Sequence, residues 1–243
     1  HLISTAKVNS PKKLVLLGAT GSIGDSTLKV IRKHPDKIQL IGISAHQQAE
    51  KLFTIAKEFQ VPLACLTNSP KDQVTPPPHT QLHTGQNSLE ELAALDEADI
   101  VVVAIVGAAG LLPTLSALRA GKDVVLANKE SLVVGGEIVI ETAKKYGARI
   151  IPADSEHNAV FQCIQGQEHK TIQSIILTAS GGPFRELPLE DLANVTIEQA
   201  LDHPNWSMGK KITVDSATMA NKGLELIEAR WLFDVTPEQL EVV

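Results

Sequence analysis

Aromatic side chains are scarce, at 3% of the chain, although hydrophobic residues reach 43%. A core built almost without aromatics must be filled by Ile, Leu, Val and Ala, the mix that suits parallel strands covered on both faces by helices. Cysteine is scarcer still. Cys65 and Cys163 lie too far apart for a metal-ligand spacing, and two thiols make no disulfide framework. Both read as reduced, largely buried side chains in a reducing compartment. No run of about eighteen apolar residues occurs, so nothing reads as a membrane-spanning helix or a membrane partner. His1 to Ser10 lack the apolar stretch of a signal peptide. A chain that starts at His1 rather than Met is expected to have been trimmed or processed. A basic excess is absent too: the formal charge is -6, which argues against nucleic acid as a partner. It leaves room for an anionic substrate, because local donors can hold a phosphate.

What is present is alternation. Leu14 to Leu17 is a short apolar run, Ser22 to Ile31 carries apolar residues at helical spacing, and Ile38 to Ile43 reads as the next strand. That is a βαβ unit, with a parallel pair and a right-handed crossover. A helix over Gln47–Phe59 and a strand at Leu63–Leu66 follow. Thr67 to Ser88, with Pro70, Pro76, Pro77 and Pro78, reads as a loop, since proline cannot serve a central strand. Strand Ile100–Ile105, helix Leu111–Ala120, strand Val124–Leu126, helix Leu132–Lys145 and strand Arg149–Ile151 complete the series. The pattern predicts an α/β fold: a doubly wound, mainly parallel Rossmann-like sheet over residues 12–152. From 153 to 243 the texture changes to one apolar strand, Ile172–Leu177, among segments rich in Ser, Gly, Asn, His and Pro. This reads as an α+β domain that holds the chemistry.

Gly18-Ala-Thr-Gly21-Ser-Ile-Gly24 falls between the first strand and its helix. Glycines there permit a tight turn and close approach of a pyrophosphate. The amides of Thr20, Gly21, Ser22 and Ile23 are expected to face the phosphates at the helix N-terminus. An ordinary βα turn is the plain alternative. The second strand ends in Ser44-Ala-His46-Gln47, with no carboxylate to bond a ribose 2′-hydroxyl or repel a 2′-phosphate, which favours NADP over NAD. The alternative is that these polar residues only cap a helix.

Asp154-Ser155-Glu156 follows a strand. In an extended segment, residues two apart face the same way, so two carboxylates could converge on one hard divalent cation. Alone, such a pair is more often an exposed turn or a helix start. In Asp215-Ser216-Ala-Thr-Met-Ala-Asn221-Lys222-Gly-Leu-Glu225, a helix entered near Thr218 would put Asn221, Lys222 and Glu225 on one face. They read either as a surface salt bridge or as a phosphate clamp beside a metal. Ser180-Gly181-Gly182 is a candidate anion site. His203-Pro-Asn-Trp206-Ser-Met208-Gly209 puts a large ring in a loop and suggests a lid.

Taken together, GATGSIG, AIVGAAGLLPT, LANKESLV, DSEHNAVFQ, SGGPFRE, HPNWSMGKKITVDSATMANKG and LELIEARWLF resemble the 1-deoxy-D-xylulose 5-phosphate reductoisomerase family over residues 13–234. The resemblance implies rearrangement of a sugar phosphate to an aldehyde and its reduction by NADPH to 2-C-methyl-D-erythritol 4-phosphate, in non-mevalonate isoprenoid synthesis. It implies Asp154, Glu156 and Glu225 as catalytic ligands of Mg²⁺ or Mn²⁺, with Co²⁺ a further alternative. It assigns Ser155, Ser180, His203, Ser216, Asn221 and Lys222 to the substrate, with Trp206 and Met208 in a closing loop. Lys129 falls beside nicotinamide and substrate. Thr20, Gly21, Ser22, Ile23 and Gly209 fall at the cofactor, as do Ser44, His46, Gln47, Asn128 and Glu130. A homodimer, in the cytoplasm of a bacterium or a plastid, is implied as well. Two departures stand out. Ala45-His46-Gln47 replaces the family's usual Gly-Lys-Asn or Gly-Ser-Asn, and the family's C-terminal helical part is missing after Val243. Two other readings remain: a homoserine- or semialdehyde-type dehydrogenase using Lys129 as an acid, which needs no metal, and an NADP-binding fragment without turnover.

Overall fold

The computed structural model describes residues 10–68, 75–85 and 87–243. Strand β1 (Lys12–Leu17) leads through α1 (Ser22–Lys33) to β2 (Ile38–Ala45), and α2 (Ala49–Phe59) leads to β3 (Leu63–Leu66) and β4 (Gln81–Thr84). Then come α3 (Ser88–Ala93), β5 (Ile100–Val103), α4 (Leu111–Arg119), β6 (Asp123–Leu126), α5 (Lys129–Tyr146) and β7 (Ile150–Pro152). The seven strands form one parallel sheet in the order β4-β3-β2-β1-β5-β6-β7. After β4 the chain crosses back past β1, so the β1/β5 boundary is the switch point where α/β sheets open a ligand crevice.

The sheet is buried on both faces, as the aliphatic composition requires. Leu14 and Leu16 face one core with Leu28, Ile31 and Leu52. Val15 and Leu17 point the other way, toward Leu115, Leu118 and Leu132. The proline-bearing segment 67–88 is not all loop. Pro76, Pro77 and Pro78 stop just short of β4, which pairs with β3 only and so sits at a sheet edge, where a nearby proline costs no ladder bond. Pro70 lies outside the described residues. Pro152 likewise ends an edge strand, in register with Leu126. Helix α5 starts at Lys129 rather than Leu132, because the Asn128 side chain caps it by accepting from the Ser131 amide, and it kinks at Gly135. Cys65 is buried, whereas Cys163 is exposed.

The remaining chain holds α6 (Ser155–Cys163), β8 (Ile175–Leu177), α7 (Ile197–Ala200), α8 (Lys210–Ala217), α9 (Ala220–Phe233) and β9 (Leu240–Val242). The strand expected over Ile172–Leu177 is shorter because 169–171 form a 3₁₀ turn, and it pairs in parallel with β9 over a small core of Ile175, Leu177, Ala229, Phe233 and Val235. The expected helix entry near Thr218 is displaced. Met219, in the left-handed region at φ 60°, separates α8 from α9. No described helix is long and apolar enough to cross a membrane.

Helices α5 and α9 cross where Gly136 meets Trp231. A Cβ on Gly136 would lie 2.2 Å from the indole Nε1. Trp231 is half-buried there rather than fully buried, as its indole lies between the helices. Gly136→Ala is expected to lower stability by about 2 kcal/mol through overpacking, read by chemical denaturation. An unchanged midpoint would mean that this crossing can separate freely.

Candidate active site

One helix beginning and one helix face build the acidic centre. Asp154 is the N-cap of α6, and its carboxylate accepts from the Glu156 amide at 3.2 Å. The Asp-x-Glu pair is therefore not extended, since Ser155 and Glu156 already form the first helical turn. Capping, rather than strand alternation, brings the two carboxylates together. Glu225 arrives from α9. One ligand oxygen from each of Asp154, Glu156 and Glu225 lies within 4.8 Å of the others. An all-oxygen set is what a hard dication takes.

Cations surround this set. Lys129, at the start of α5, pairs with Asp154 and lies 3.3 Å from Glu225 and 3.8 Å from Glu228. Burial works to lower the Lys129 pKa, but Asp154, Glu228 and Glu225 outweigh it and hold the ammonium above its ordinary value. Lys222 pairs with Glu225, lies 3.3 Å from Glu156, and donates to the Thr178 carbonyl at 2.6 Å. Asn221 donates to Glu225 across one turn. Burial tends to raise Asp154, yet bonding to His157 and the charge of Lys129 hold it well below the carboxylate range. Behind these groups, burial pushes Glu228 up to about 7, with Asp154 and Glu225 adding to the rise. Three carboxylates that could hold a metal thus face the ammonium groups of Lys129 and Lys222, one more carboxylate than cation, and that set of oxygens fits a divalent cation.

Above the acidic centre opens a cleft of about 410 Å³, lined among others by Asp154, Ser155, Glu156, Ser180, His203, Trp206, Met208, Ser216, Asn221, Lys222 and Glu225. Eleven residues expected at the chemistry thus share one space. Nδ1 of His203 accepts the amides of Asn205, at 3.2 Å, and Trp206, at 3.0 Å. Nε2 therefore carries the proton and donates to Ser180 Oγ at 3.0 Å. Ser180 Oγ also accepts from the Gly182 amide, which leaves its own hydrogen for Ser216, 3.4 Å away, or for a ligand in the cleft. Ser155 is exposed and donates to Glu156 at 2.7 Å.

The glycine turn lies at the β1/β5 switch point. Gly18, at φ 86°, and Gly24 leave no room for a side chain, with 2.5 Å to the carbonyl oxygens of Ala104 and Ala19 respectively. Gly21 meets nothing nearer than 3.6 Å, so its surroundings within the protein do not require glycine. Its amide donates back to the Gly18 carbonyl at 3.2 Å and is not free as expected. Ser22 and Ile23, both exposed, supply first-turn amides that a helix leaves without internal partners. Ser44 is buried, and its hydroxyl accepts from the Gly18 amide at 3.0 Å, so it braces the turn instead of facing outward. His46 and Gln47 are exposed at the strand end, with His46 Nδ1 2.8 Å from the Thr67 hydroxyl. Asn128 is buried, and its amide bonds the carbonyls of Ile105, at 2.7 Å, and Gly107, at 2.8 Å. Glu130 lies 3.1 Å from Lys211 of α8. Gly209 is the N-cap of α8.

Sequence reasoning missed His157 and Glu228. His157 is fully buried, with Nε2 2.9 Å from the Glu225 carbonyl oxygen and Nδ1 3.4 Å from Asp154. Each lies three residues beyond a carboxylate of the acidic centre, Asp154 and Glu225, and that helical spacing was the available signal.

Residues 14–136 match the family model for 1-deoxy-D-xylulose 5-phosphate reductoisomerase, and residues 150–233 match the model for that enzyme's C-terminal domain. The chain is 51% identical over 235 residues to the reductoisomerase of Geobacter metallireducens, covering 95% of this chain and 61% of the relative. It is 52% identical to that of Dechloromonas aromatica, covering 96% and 61%. It thus spans about three fifths of the length of these relatives. A solved DOX-P reductoisomerase with NADPH, fosmidomycin and magnesium superimposes with a TM-score of 0.86 at 44% identity, over 95% of this chain and 60% of that one. The Zymomonas mobilis enzyme with NADPH gives 0.85 at 41%, over 96% and 61%. With both family models matched in order along its length, the chain belongs to the 1-deoxy-D-xylulose 5-phosphate reductoisomerase family.

Proposed function

We propose that this chain carries the NADPH- and divalent-metal-dependent conversion of 1-deoxy-D-xylulose 5-phosphate to 2-C-methyl-D-erythritol 4-phosphate. The observation that carries the reading is the convergence of Asp154, Glu156 and Glu225 within 4.8 Å at the floor of a cleft walled by hydroxyls and amides. When bound, Mg²⁺ or Mn²⁺ stabilises negative charge on the substrate's carbonyl and hydroxyl oxygens, and NADPH supplies hydride. In this reading residues 12–152 hold the cofactor and 153–243 hold the substrate.

The chain's own groups divide the remaining work. Ser180, with His203 donating into its oxygen, is primed to donate its hydrogen to a phosphate or hydroxyl oxygen. Ser216 and Asn221 face the same space. Lys222 braces Glu156 and Glu225 so that their oxygens point into the cleft. Lys129, at the start of α5, sets an ammonium against the acidic centre, and the family resemblance implies that it would stand beside the nicotinamide of a bound NADPH. The family resemblance supports a homodimer, and the half-exposed Ile176 on the small β8–β9 sheet is consistent with a covered face. The bacterial relatives favour a cytoplasmic enzyme.

The test follows NADPH absorbance with 1-deoxy-D-xylulose 5-phosphate and Mn²⁺. Consumption should need both substrate and metal and should stop on adding a chelator. Metal-independent oxidation of a semialdehyde or homoserine would overturn the reading in favour of an ordinary dehydrogenase. A chain that binds NADPH and Mn²⁺ but does not turn over would mean that the segment its relatives have beyond this one is required.

The cofactor has its own prediction. At the end of β2 no carboxylate opposes a 2′-phosphate, and His46 is exposed there. His46→Asp is expected to weaken NADPH binding about tenfold by adding like charge, and not to weaken NADH binding, whose ribose hydroxyl a carboxylate can bond. Fluorescence titration with both nucleotides checks it. Tighter binding of NADH than NADPH in the parent chain would show that this strand end does not select the phosphate.

A further inference from the structure

Glu228 is a buried carboxyl group that no step above uses. It lies one helical turn beyond Glu225 on α9 and is 3% exposed. It stands outside the three-carboxylate set and outside the lining of the cleft. Its Oε2 is buried and has no hydrogen-bond partner among the described residues. From α5, Lys129 Nζ faces that oxygen at 3.8 Å, and from α6, His157 Nδ1 faces it at 3.7 Å. A buried acceptor left unbonded destabilises the fold, and an apolar residue of similar volume would serve it better. Folding alone gives Glu228 no role.

Lys129 gives it one. Its ammonium touches three carboxylates: Asp154, Glu225 and Glu228. The first two belong to the proposed metal set, so the ammonium and a dication compete for the same oxygens. Among the described residues, Glu228 is the one carboxylate in contact with Lys129 that the metal set does not include. An ammonium has three donors, and a shift of about 1 Å would bring one into hydrogen-bond range of the unbonded Oε2.

We propose that Glu228 is a positioning residue for Lys129: it takes the ammonium over from Asp154 and Glu225 when a divalent cation binds them, and holds it beside the cleft. This rests on the metal reading of Asp154, Glu156 and Glu225. The unbonded oxygen is then the vacant half of an ion pair that completes itself as the metal arrives. Without Glu228 the ammonium stays on the metal's oxygens and opposes the metal.

The experiment measures Mn²⁺ affinity directly, by electron paramagnetic resonance of free Mn²⁺, in the parent chain, Glu228→Gln, Lys129→Met and the double variant. Glu228→Gln should weaken Mn²⁺ about tenfold, and in the Lys129→Met background the same replacement should change affinity by less than about threefold. An equal loss in both backgrounds overturns the inference, because Glu228 would then act on the metal without Lys129. Unchanged affinity in Glu228→Gln overturns it as well. If circular dichroism shows that Glu228→Gln does not fold, Glu228→Asp carries the test. A loss that vanishes with Lys129→Met supports the handover, and any other result overturns it. A parent chain that binds no Mn²⁺ overturns the metal reading and this inference together, whereas binding with no Glu228 effect overturns the inference alone.

Discussion

Asp154→Asn is expected to lower turnover by about 10³-fold, roughly 4 kcal/mol of transition-state stabilisation, while NADPH affinity stays within about twofold of the parent. The first half follows from what Asp154 does in two directions. It contributes an oxygen to the three-carboxylate set, and it pairs with Lys129. An amide keeps the cap on Glu156, because its carbonyl still accepts from that amide group, so α6 should start as before. What it loses is the charge that attracts a dication. The second half follows from distance along the fold. The glycine turn lies at the end of β1 and Asp154 lies beyond β7, with β5 and β6 between them in the sheet. The measurement is kcat/KM at saturating Mn²⁺, in a version extended to the full length of the relatives, beside a fluorescence titration with NADPH. Turnover within about tenfold of the parent would remove Asp154 from the metal set. Loss of NADPH binding along with turnover would mean that the substitution damages the sheet.

The same residue shows how far the sequence could be read. The Asp-x-Glu pair pointed to a metal through strand alternation, yet the two carboxylates meet through an N-cap and a first turn. The residues were identifiable and the geometry was not, because Ser, Asp and Glu after a strand suit an extended end and a helix start equally well. The long-range partner Glu225 became legible only from the run that also carries Asn221 and Lys222, where spacing on one helix face is a sequence property. The parallel sheet was legible because most of its strands are rich in aliphatic residues; β4, Gln-Leu-His-Thr, holds one aliphatic residue and follows the prolines, so it was hidden. The hydroxyl of Ser44 and the amide group of Asn128 read as ligand donors, and both are spent on backbone partners. A sequence lists donors without saying which the fold has already used. Glu228 was missed for the opposite reason. Its three-residue spacing from Glu225 was legible in LELIEARWLF, but its burial was not, and burial is what joins it to the acidic centre.

Trp206→Ala is expected to lower kcat by about 10²-fold while changing folding stability by less than about 0.5 kcal/mol. Trp206 is 66% exposed, yet its ring lines the cleft over the acidic centre. A large apolar ring left in water is a contact waiting for a partner, and none of the core clusters among the described residues includes this one. The loop is fastened at one end by His203, which accepts the amides of Asn205 and Trp206 and donates to Ser180. At the other end Gly209 begins α8, with nothing within 4 Å of a Cβ built there. Between these points few apolar contacts hold the segment down, so its closure should depend on what occupies the cleft. A ligand oxygen taking the Ser180 hydrogen would act on the same hydrogen-bond chain that fixes the loop's first turn. The ring would then fold over the reacting carbons, exclude water and strengthen the electrostatics beneath it. Fluorescence reads this directly, because Trp206 and Trp231 are the only two tryptophans. Trp231 is packed between helices, so a change in emission on binding a phosphonate analogue should come from Trp206 and vanish in Trp206→Ala. Unchanged emission at a concentration where calorimetry proves binding would show that the loop does not close. A Trp206→Ala protein that keeps kcat but loses several kcal/mol of stability would make this ring a packing residue.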